Sequence, residues 1–270
     1  MPSDTVTVRT LDGLHLAATL VTPSETTARA AVLVHGGGVT REEGGFFRRL
    51  ADGLAAAGVA SLRFDLRGHG ESEGRQEELT LATILNDIQV ALAYTREATG
   101  AEQITLNGTS FTGGVAAYYA AHRPHEVSRL LLFNPQLDYK WRTIDSRPYW
   151  VNDSITEEAA HGLAERGFIQ FTPTLVHGRA MLNEAFWFPT QEALSLVQAP
   201  TLIVHGTADT LVPFESSQSA VQRFNAPVQL VPVNGSQHGF AVHDDPQYLD
   251  PKSQEYQAFV IRTVAEWLTT

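Results

Sequence analysis

The chain has 270 residues, of which 43% are hydrophobic, and this suits one large α/β domain with a single sizeable core. Its 19 basic and 30 acidic residues give a net charge of -11 without any Lys or Arg cluster, which argues against nucleic acid or a membrane surface as a partner. No cysteine is present, so a disulfide scaffold, a thiolate metal site and a cysteine nucleophile are excluded. The first ten residues lack an apolar signal segment, and we expect a cytoplasmic protein, with an unseen leader left open.

The predicted elements begin with an antiparallel hairpin. Residues 5–9 (TVTVR) and 14–21 (LHLAATLV) alternate in polarity and flank Asp12-Gly13, a strong hairpin signal. Residues 30–34 (AAVLV) then form a wholly apolar run, which is typical of a strand buried on both faces.

Helices and strands alternate in the following part of the chain. Apolar residues recur at helical spacing from 46 to 57 and from 81 to 92, and buried strands are predicted at 59–64, 102–107 and 127–133. This alternation indicates a mostly parallel sheet covered by helices on both faces. Further strands are predicted at 201–205 and 227–233, and further helices at 215–223 and 256–268.

Ser110 lies between a predicted strand that ends near Gly108 and a helix of small residues that begins at Gly113. A turn of this kind places the hydroxyl at the edge of the sheet, beside the unpaired N–H groups of the first helical turn. The chain also has a glycine-rich loop, His35 to Gly38, directly after the buried strand at 30–34. The alternative interpretations are a serine that caps a buried helix and a plain glycine turn.

Two motifs of the sequence resemble those of the α/β-hydrolase family. Residues 108–112 (GTSFT) follow the family's G-x-S-x-G nucleophile elbow, except that Thr112 stands at the last glycine position. Residues 65–72 (DLRGHGES) match the family's D-x-R-G-x-G-x-S turn, whose role is structural, so that His69 is not expected to be catalytic. The resemblance implies the α/β-hydrolase fold for residues 1–270 as a single domain with an inserted lid.

Within this resemblance, an acid and a histidine follow Ser110 in the order that the family implies. Asp209 stands in the loop GTADTLVP and His238 in the loop NGSQHGF, each beyond a predicted strand. A serine hydroxyl needs an imidazole to take its proton, and the imidazole needs a carboxylate to orient it. The expected catalytic residues are therefore Ser110, His238 and Asp209, whereas Asp138 or Glu215 could instead supply the carboxylate and His243 the imidazole.

The resemblance also implies an oxyanion hole. The loop at 35–38 is similar to the HGGG-type loop of esterases, and its donor would be the N–H of Gly37, with Gly38 as the less favoured alternative. The second donor would be the N–H of Phe111.

No metal site is predicted, because His35, His69 and His205 flank glycines and no carboxylate cluster stands at ligand spacing. No cofactor is predicted either.

Residues 135–196 lack the buried-strand pattern of the core and are predicted to form the lid. Ser154 with Glu157 resembles a capping box for a helix through Leu163, and a second helix is predicted at 179–187. We expect Asp138, Tyr139 and Asp145 to contact substrate. The aromatic residues would roof the active site, or form the lid's own small core: Tyr139, Trp141, Tyr149, Trp150, Phe168, Phe171, Phe186, Trp187 and Phe188.

The sequence thus predicts a serine hydrolase that cleaves a small-molecule carboxylic ester through an acyl-serine intermediate. The motifs resemble those of small carboxylesterases and feruloyl-type esterases, and an aromatic-rich lid would suit an apolar or aromatic acyl group. Two alternatives stay open, a thioesterase or natural-product tailoring or lactonising hydrolase, and a non-catalytic binding protein of the same fold. A homodimer is also left open.

Overall fold

The computed structural model describes residues 2–243, 245 and 247–270. The first half of the chain contains β1 (Ser3–Arg9), β2 (His15–Val21), β3 (Arg29–Val34), α1 (Phe46–Ala56), β4 (Ala60–Phe64), α2 (Leu81–Thr99), β5 (Gln103–Thr109), α3 (Gly113–His122) and β6 (Arg129–Phe133). The second half contains β7 (Trp150–Val151), β8 (Ser154–Ile155), α4 (Glu157–Arg166), β9 (Phe168–Thr172), β10 (Leu175–Gly178), α5 (Arg179–Glu184), α6 (Thr190–Ala193), β11 (Thr201–Gly206), α7 (Phe214–Val221), β12 (Val228–Val233) and α8 (Pro251–Thr269).

The central sheet has eight strands in the order β1-β2-β4-β3-β5-β6-β11-β12. The hairpin predicted at the start of the chain is confirmed, because β1 and β2 pair antiparallel and β2 continues antiparallel onto β4. All later pairs in the sheet are parallel. Since the carboxyl ends of parallel strands meet at one edge, the loops after β3, β5, β11 and β12 lie close together there.

Apolar side chains fill both faces of this sheet. Along β3, Val32 and Val34 point to the side covered by α2 and α3, whereas Leu33 points to the side covered by α1 and α8. Residues of β3 to β6 are nearly all buried, as predicted for the strands in this part of the chain. The mostly parallel sheet with helices on both faces is therefore confirmed.

The long helices begin and end at recognisable capping residues. The Thr80 hydroxyl accepts the N–H of Thr83 to start α2, which ends at Gly100 in the left-handed region. Asp250 caps α8 and Pro251 is its first residue, so this helix begins five residues before the apolar spacing from Tyr256 indicates. Of the helices in the described residues, none is long and apolar enough to cross a membrane.

Residues 135–196, here called the insert, lie between β6 and β11, which are neighbours in the sheet. The insert contains the hairpins β7–β8 and β9–β10 and three short helices, and Leu163, Ile169 and Leu182 form a small core of its own. The helix predicted after Ser154 is confirmed as α4, but its predicted cap is wrong. Thr156 caps α4 by accepting the N–H of Ala159, because the segment before Thr156 is taken up by β8.

Candidate active site

Three side chains from separate loops form one hydrogen-bonded chain at the carboxyl edge of the sheet. His238 Nε2 lies 2.9 Å from Ser110 Oγ, and His238 Nδ1 lies 2.7 Å from Asp209 Oδ2. Because a carboxylate only accepts, Nδ1 carries the proton and Nε2 accepts from the serine hydroxyl. The structure thus brings together the three residues that the sequence singles out, in the tautomer that proton abstraction from serine requires.

Asp209 is held by more than the His238 ring. Its Oδ1 accepts the N–H groups of Leu211 and Val212 at 2.8 and 2.9 Å, and its Oδ2 lies 3.3 Å from Nε2 of the buried His205. Although burial by itself raises the pKa of the Asp209 carboxyl, the hydrogen bonds from His205 and His238 outweigh burial and hold the pKa well below its usual range. Asp209 is consequently ionised at neutral pH.

His205 acts through Asp209. Its Nε2 faces two acceptors, Asp209 Oδ2 and the carbonyl of Val212 at 3.0 Å, so that nitrogen carries the proton. Its Nδ1 then accepts the hydroxyl of Ser217 at 2.7 Å. This histidine orients the carboxylate and has no contact with Ser110.

The turn at Ser110 is backbone-strained. Ser110 has a φ of +51°, a left-handed conformation that is uncommon outside glycine. Gly108 permits the turn, because a Cβ there would lie 2.6 Å from Ala116 Cβ and 2.8 Å from the carbonyl oxygen of Thr112. The strand, turn and helix around Ser110 therefore have the geometry of a nucleophile elbow.

Thr112, which replaces the last glycine of the motif, is fully buried and ties the elbow to the neighbouring strand. Its hydroxyl lies 3.1 Å from the carbonyl oxygens of Val34 and His35 and accepts the N–H of Thr109 at 3.0 Å. Glycine could make none of these bonds. The departure from the family pattern thus adds a link between the elbow and the glycine-rich loop.

Gly37 and Phe111, the predicted oxyanion donors, lie side by side next to Ser110. A Cβ on Gly37 would lie 3.3 Å from Phe111 Cβ, and both residues line the cavity that contains Ser110. Two histidines hold the loop of Gly37 in place. His35 Nε2 accepts the N–H of Leu66 at 2.9 Å, and His69 Nε2 accepts the N–H of Gly38 at 3.3 Å.

Glu43 is a buried carboxyl in the same region that the sequence analysis does not identify. It is 7% exposed, and its Oε1 accepts the N–H of Gly36 at 2.5 Å. Burial raises the pKa of Glu43 to about 7, against the opposing effects of the Gly36 N–H and of the nearby His238 ring. Through its hydrogen bond with Gly36, Glu43 holds the start of the glycine-rich loop in position.

The cavity beside Ser110 has a volume of about 40 Å³, and its wall combines apolar and polar side chains. The polar residues are Gln136, Arg142 and Thr172, all from the insert. Apart from Gly37 and Ser110, the remaining lining is apolar: Phe111, Phe171, Leu175, Leu211 and Val212. Besides Ser110 and Gly37, the sequence predicts two of the lining residues, Phe111 as an oxyanion donor and Phe171 as a lid aromatic. No local sequence pattern marks the others as cavity residues.

The three predicted substrate contacts lie elsewhere in the insert. Asp138 is exposed and accepts the N–H of Trp141, and Asp145 is exposed and pairs with Lys140 at 2.7 Å. Tyr139 is buried, and its hydroxyl donates to the carbonyl of Phe111 at 2.6 Å and accepts the N–H of Val115. None of the three lines the described wall of the cavity.

The alternative residues of the sequence analysis do not replace the hydrogen-bonded chain. Glu215 is exposed at the start of α7, and Ser110 and Asp209 both contact His238 rather than His243. In the part of the chain that the structure describes, no group of three or more His, Asp or Glu side chains could hold a metal ion.

Comparisons with known proteins agree with this fold. A family model for the alpha/beta hydrolase fold matches residues 31–188. The chain is 28% identical over 245 residues to an uncharacterized protein of Mycobacterium tuberculosis, with 91% of this chain and 74% of that protein aligned. It is 25% identical over 233 residues to a monoacylglycerol lipase of Mycolicibacterium smegmatis, with 78% of this chain and 81% of that protein aligned.

Among solved structures, Est1E from Butyrivibrio proteoclasticus with bound ferulic acid matches with a TM-score of 0.74 at 21% identity, covering 96% of this chain and 99% of that chain. The chain belongs to the α/β-hydrolase family, as its motifs predict. It has a hydrolase fold, and esterases and lipases are among the proteins that it resembles.

Proposed function

We propose that this protein is a serine hydrolase that cleaves a carboxylic ester through a covalent acyl-serine intermediate. The observation that carries the proposal is the unbroken chain from Asp209 Oδ2 through His238 to Ser110 Oγ, with distances of 2.7 and 2.9 Å. The left-handed turn at Ser110 and the adjacent backbones of Gly37 and Phe111 support it.

In the acylation step, Ser110 Oγ attacks the ester carbonyl carbon while His238 Nε2 takes the hydroxyl proton. The carbonyl oxygen becomes an oxyanion that accepts hydrogen bonds from the N–H groups of Gly37 and Phe111, worth about 3 kcal/mol per donor. When the intermediate collapses, the carbon–oxygen bond of the ester breaks and His238 gives its proton to the leaving alcohol. The acyl group is then bonded to Ser110.

Deacylation repeats these steps with water as the nucleophile. His238 takes a proton from water, the resulting hydroxide attacks the acyl carbon, and the proton returns to Ser110 as the acid leaves. In both steps His238 passes through the imidazolium form, which the ionised Asp209 stabilises. The low pKa of Asp209 keeps the carboxylate charged throughout.

The acyl group is proposed to be apolar or aromatic. Five cavity residues offer apolar surface, and the ring of Phe171 is the largest of them in the insert. A panel of aliphatic and hydroxycinnamic esters tests this, and equal rates for short polar and aromatic acyl groups would contradict it. The panel includes matched thioesters, because a strong thioester preference would favour a thioesterase instead.

Labelling with a fluorophosphonate tests the mechanism. We expect one adduct per chain by intact mass, mapped to Ser110, absent in Ser110→Ala and strongly slowed in His238→Ala. His243→Ala is the matched histidine control and should label at the rate of the original protein. No adduct on folded protein would refute the proposal and favour a non-catalytic binding protein.

A further inference from the structure

Two arginines of the insert lie against one aromatic ring in the cavity wall. The guanidinium carbon of Arg147 is 3.8 Å from the ring centroid of Phe171, and that of Arg142 is 5.5 Å from the same centroid. Arg142 lines the cavity together with Ser110 and Gly37. One positive charge thus lines the cavity of the proposed nucleophile, and a second lies on the ring of Phe171, which lines the same cavity.

Neither guanidinium has a carboxylate ion-pair partner among the described residues. The Nη2 atom of Arg147 is buried and makes no hydrogen bond to the described chain. Burial, together with the charge of Arg147, lowers the pKa of Arg142 from its ordinary value, and the opposing carboxylate is Asp209. Asp209 is already engaged by His238 and His205, so the pair lacks an anion of its own.

Side chains near the two arginines also have buried polar atoms without hydrogen-bond partners. The amide nitrogen of Gln136, the hydroxyl of Tyr149 and both ring nitrogens of His177 are buried without a hydrogen-bond partner in the described residues. His177 is 1% exposed and stacks on Phe171 at 4.1 Å. Burial and the two arginines lower the pKa of His177 to about 3, so its ring is neutral at physiological pH.

These unpaired atoms are predominantly donors, and buried donors without partners cost free energy. A group that satisfies them has to be rich in acceptor oxygens, and next to two guanidinium groups it has to be negative. A carboxylate meets both conditions, because Arg binds it with two parallel hydrogen bonds.

We propose that Arg142 and Arg147 bind a carboxylate that the substrate carries in addition to its scissile ester. The substrate class is then a half-ester of a dicarboxylic acid, with an apolar or aromatic spacer in contact with Phe171 and Leu175. This inference rests on the proposed ester hydrolysis and names its substrate class. Hydrolysis of such a half-ester consumes one water and yields the dicarboxylic acid and the alcohol.

The competing explanation is that the arginines only stack on Phe171. Stacking of this kind contributes about 0.5–2 kcal/mol and does not require a ligand. It predicts that esters with and without a distal charge react alike.

The test compares three phenyl esters that differ at the distal end of the acyl group: monophenyl glutarate, which is anionic, and phenyl pentanoate and methyl phenyl glutarate, which are neutral. We expect kcat/KM to be at least about tenfold higher for the anionic ester, the range of a charge-assisted hydrogen bond. Arg147→Gln and Arg142→Gln should bring this ratio close to one. Arg166→Gln, an exposed arginine of α4, is the matched control and should leave the ratio unchanged.

The ratio of kcat/KM for the anionic ester to kcat/KM for a neutral ester is measured within each variant. Partial unfolding lowers the rates on all three esters equally and therefore does not alter this ratio. Equal kcat/KM values for the three esters, or a ratio that both variants preserve, would overturn the inference and leave ester hydrolysis intact.

If none of the esters reacts, protection of Ser110 from the fluorophosphonate by monomethyl glutarate, which is anionic, or by dimethyl glutarate, which is neutral, decides instead. Stronger protection by monomethyl glutarate, lost in Arg147→Gln, supports the inference, and equal or weaker protection refutes it. A Ser110 that the probe never labels refutes the proposed function itself.

Discussion

Buried polar groups have hydrogen-bond partners more consistently in the core than in the insert. In the core, Arg67 forms paired hydrogen bonds with Asp87 and Asp12, and Asp65 accepts the N–H groups of Arg41 and Glu71. Of the twelve buried side-chain nitrogen and oxygen atoms without a partner in the described residues, eight lie in the insert. The insert makes up residues 135–196, so these atoms are concentrated in a small part of the chain.

The difference separates two tasks. Most buried polar groups of the core satisfy one another, and hydrogen bonds of this kind hold His238 and the glycine-rich loop in place. More of the buried polar groups of the insert lack a partner in the described residues, and we propose that some of them pair with substrate. We therefore expect substitutions in the core to change the chemical step or the stability, and those in the cavity wall of the insert to change selectivity.

The largest effect is expected from Asp209→Asn in the core. The asparagine amide would favour the tautomer of His238 that cannot accept the Ser110 proton, and kcat should fall about 10,000-fold. Glu215→Gln is the matched control, and its kcat on a neutral phenyl ester should be unchanged. An equal loss in the control would mean that Glu215 supplies the carboxylate.

The second expected effect is a pH-dependent gain of stability in Glu43→Gln. The native state keeps the Glu43 proton up to about pH 7, whereas the unfolded chain releases it near 4.5, so Glu43 lowers the free energy of unfolding as the pH rises through this window. The loss reaches up to about 3 kcal/mol above pH 7. Glutamine can still accept the Gly36 N–H and cannot ionise.

Urea unfolding at pH 5 and pH 8 measures this effect. The pH dependence should be flatter in Glu43→Gln than in the original protein, and unchanged in Glu158→Gln, an exposed carboxyl of α4. Identical pH dependence in all three proteins would show that the carboxyl of Glu43 is not held in a desolvated state.

A smaller loss is expected from Thr112→Val. Valine has nearly the same shape as threonine, but it leaves the buried N–H of Thr109 without its acceptor, which costs about 1–3 kcal/mol of unfolding free energy. Thr112→Ser keeps the hydroxyl and should retain most of the stability in urea. If serine were as destabilising as valine, the methyl group rather than the hydroxyl would be responsible.

The smallest effect is expected from the exposed carboxylates of the insert. Asp145→Asn breaks a surface ion pair with Lys140 and should cost less than about 0.5 kcal/mol. The kcat/KM of Asp145→Asn and Asp138→Asn should stay within about twofold of the original on aromatic esters. A tenfold loss would mean that these residues contact substrate, as the sequence analysis predicts.

The core elements could be predicted because burial on both faces leaves little choice of residue. The run at 30–34 is apolar throughout and the run at 201–205 has an apolar centre at 202–204, and each is a strand of the sheet. In the insert, the sequence predicts the wrong cap for α4. Ser154 and Thr156 stand two residues apart and both are suitable local caps, and only the pairing of β7 with β8 decides between them. Tertiary contacts override local preference there.

The same distinction applies to the candidate site. Ser110, Asp209 and His238 stand in local motifs, and the structure brings these three side chains together; their catalytic roles stay a prediction. Arg142 and Arg147 stand in no motif, and isolated arginines on a polar segment usually indicate solvated surface. Their proposed role depends on their contact with Phe171, which lies further along the chain and packs against them only in the folded insert.

The order along the chain of the loops that form the candidate site has a consequence for folding. Ser110 and His238 are 128 residues apart, and α1 near the start packs against α8 at the end. Contacts between such distant segments form late, because a large loop must close before they can stabilise the fold. During refolding, helical circular dichroism should therefore recover before fluorophosphonate reactivity, which reports the docking of the last strand, its loop and the final helix.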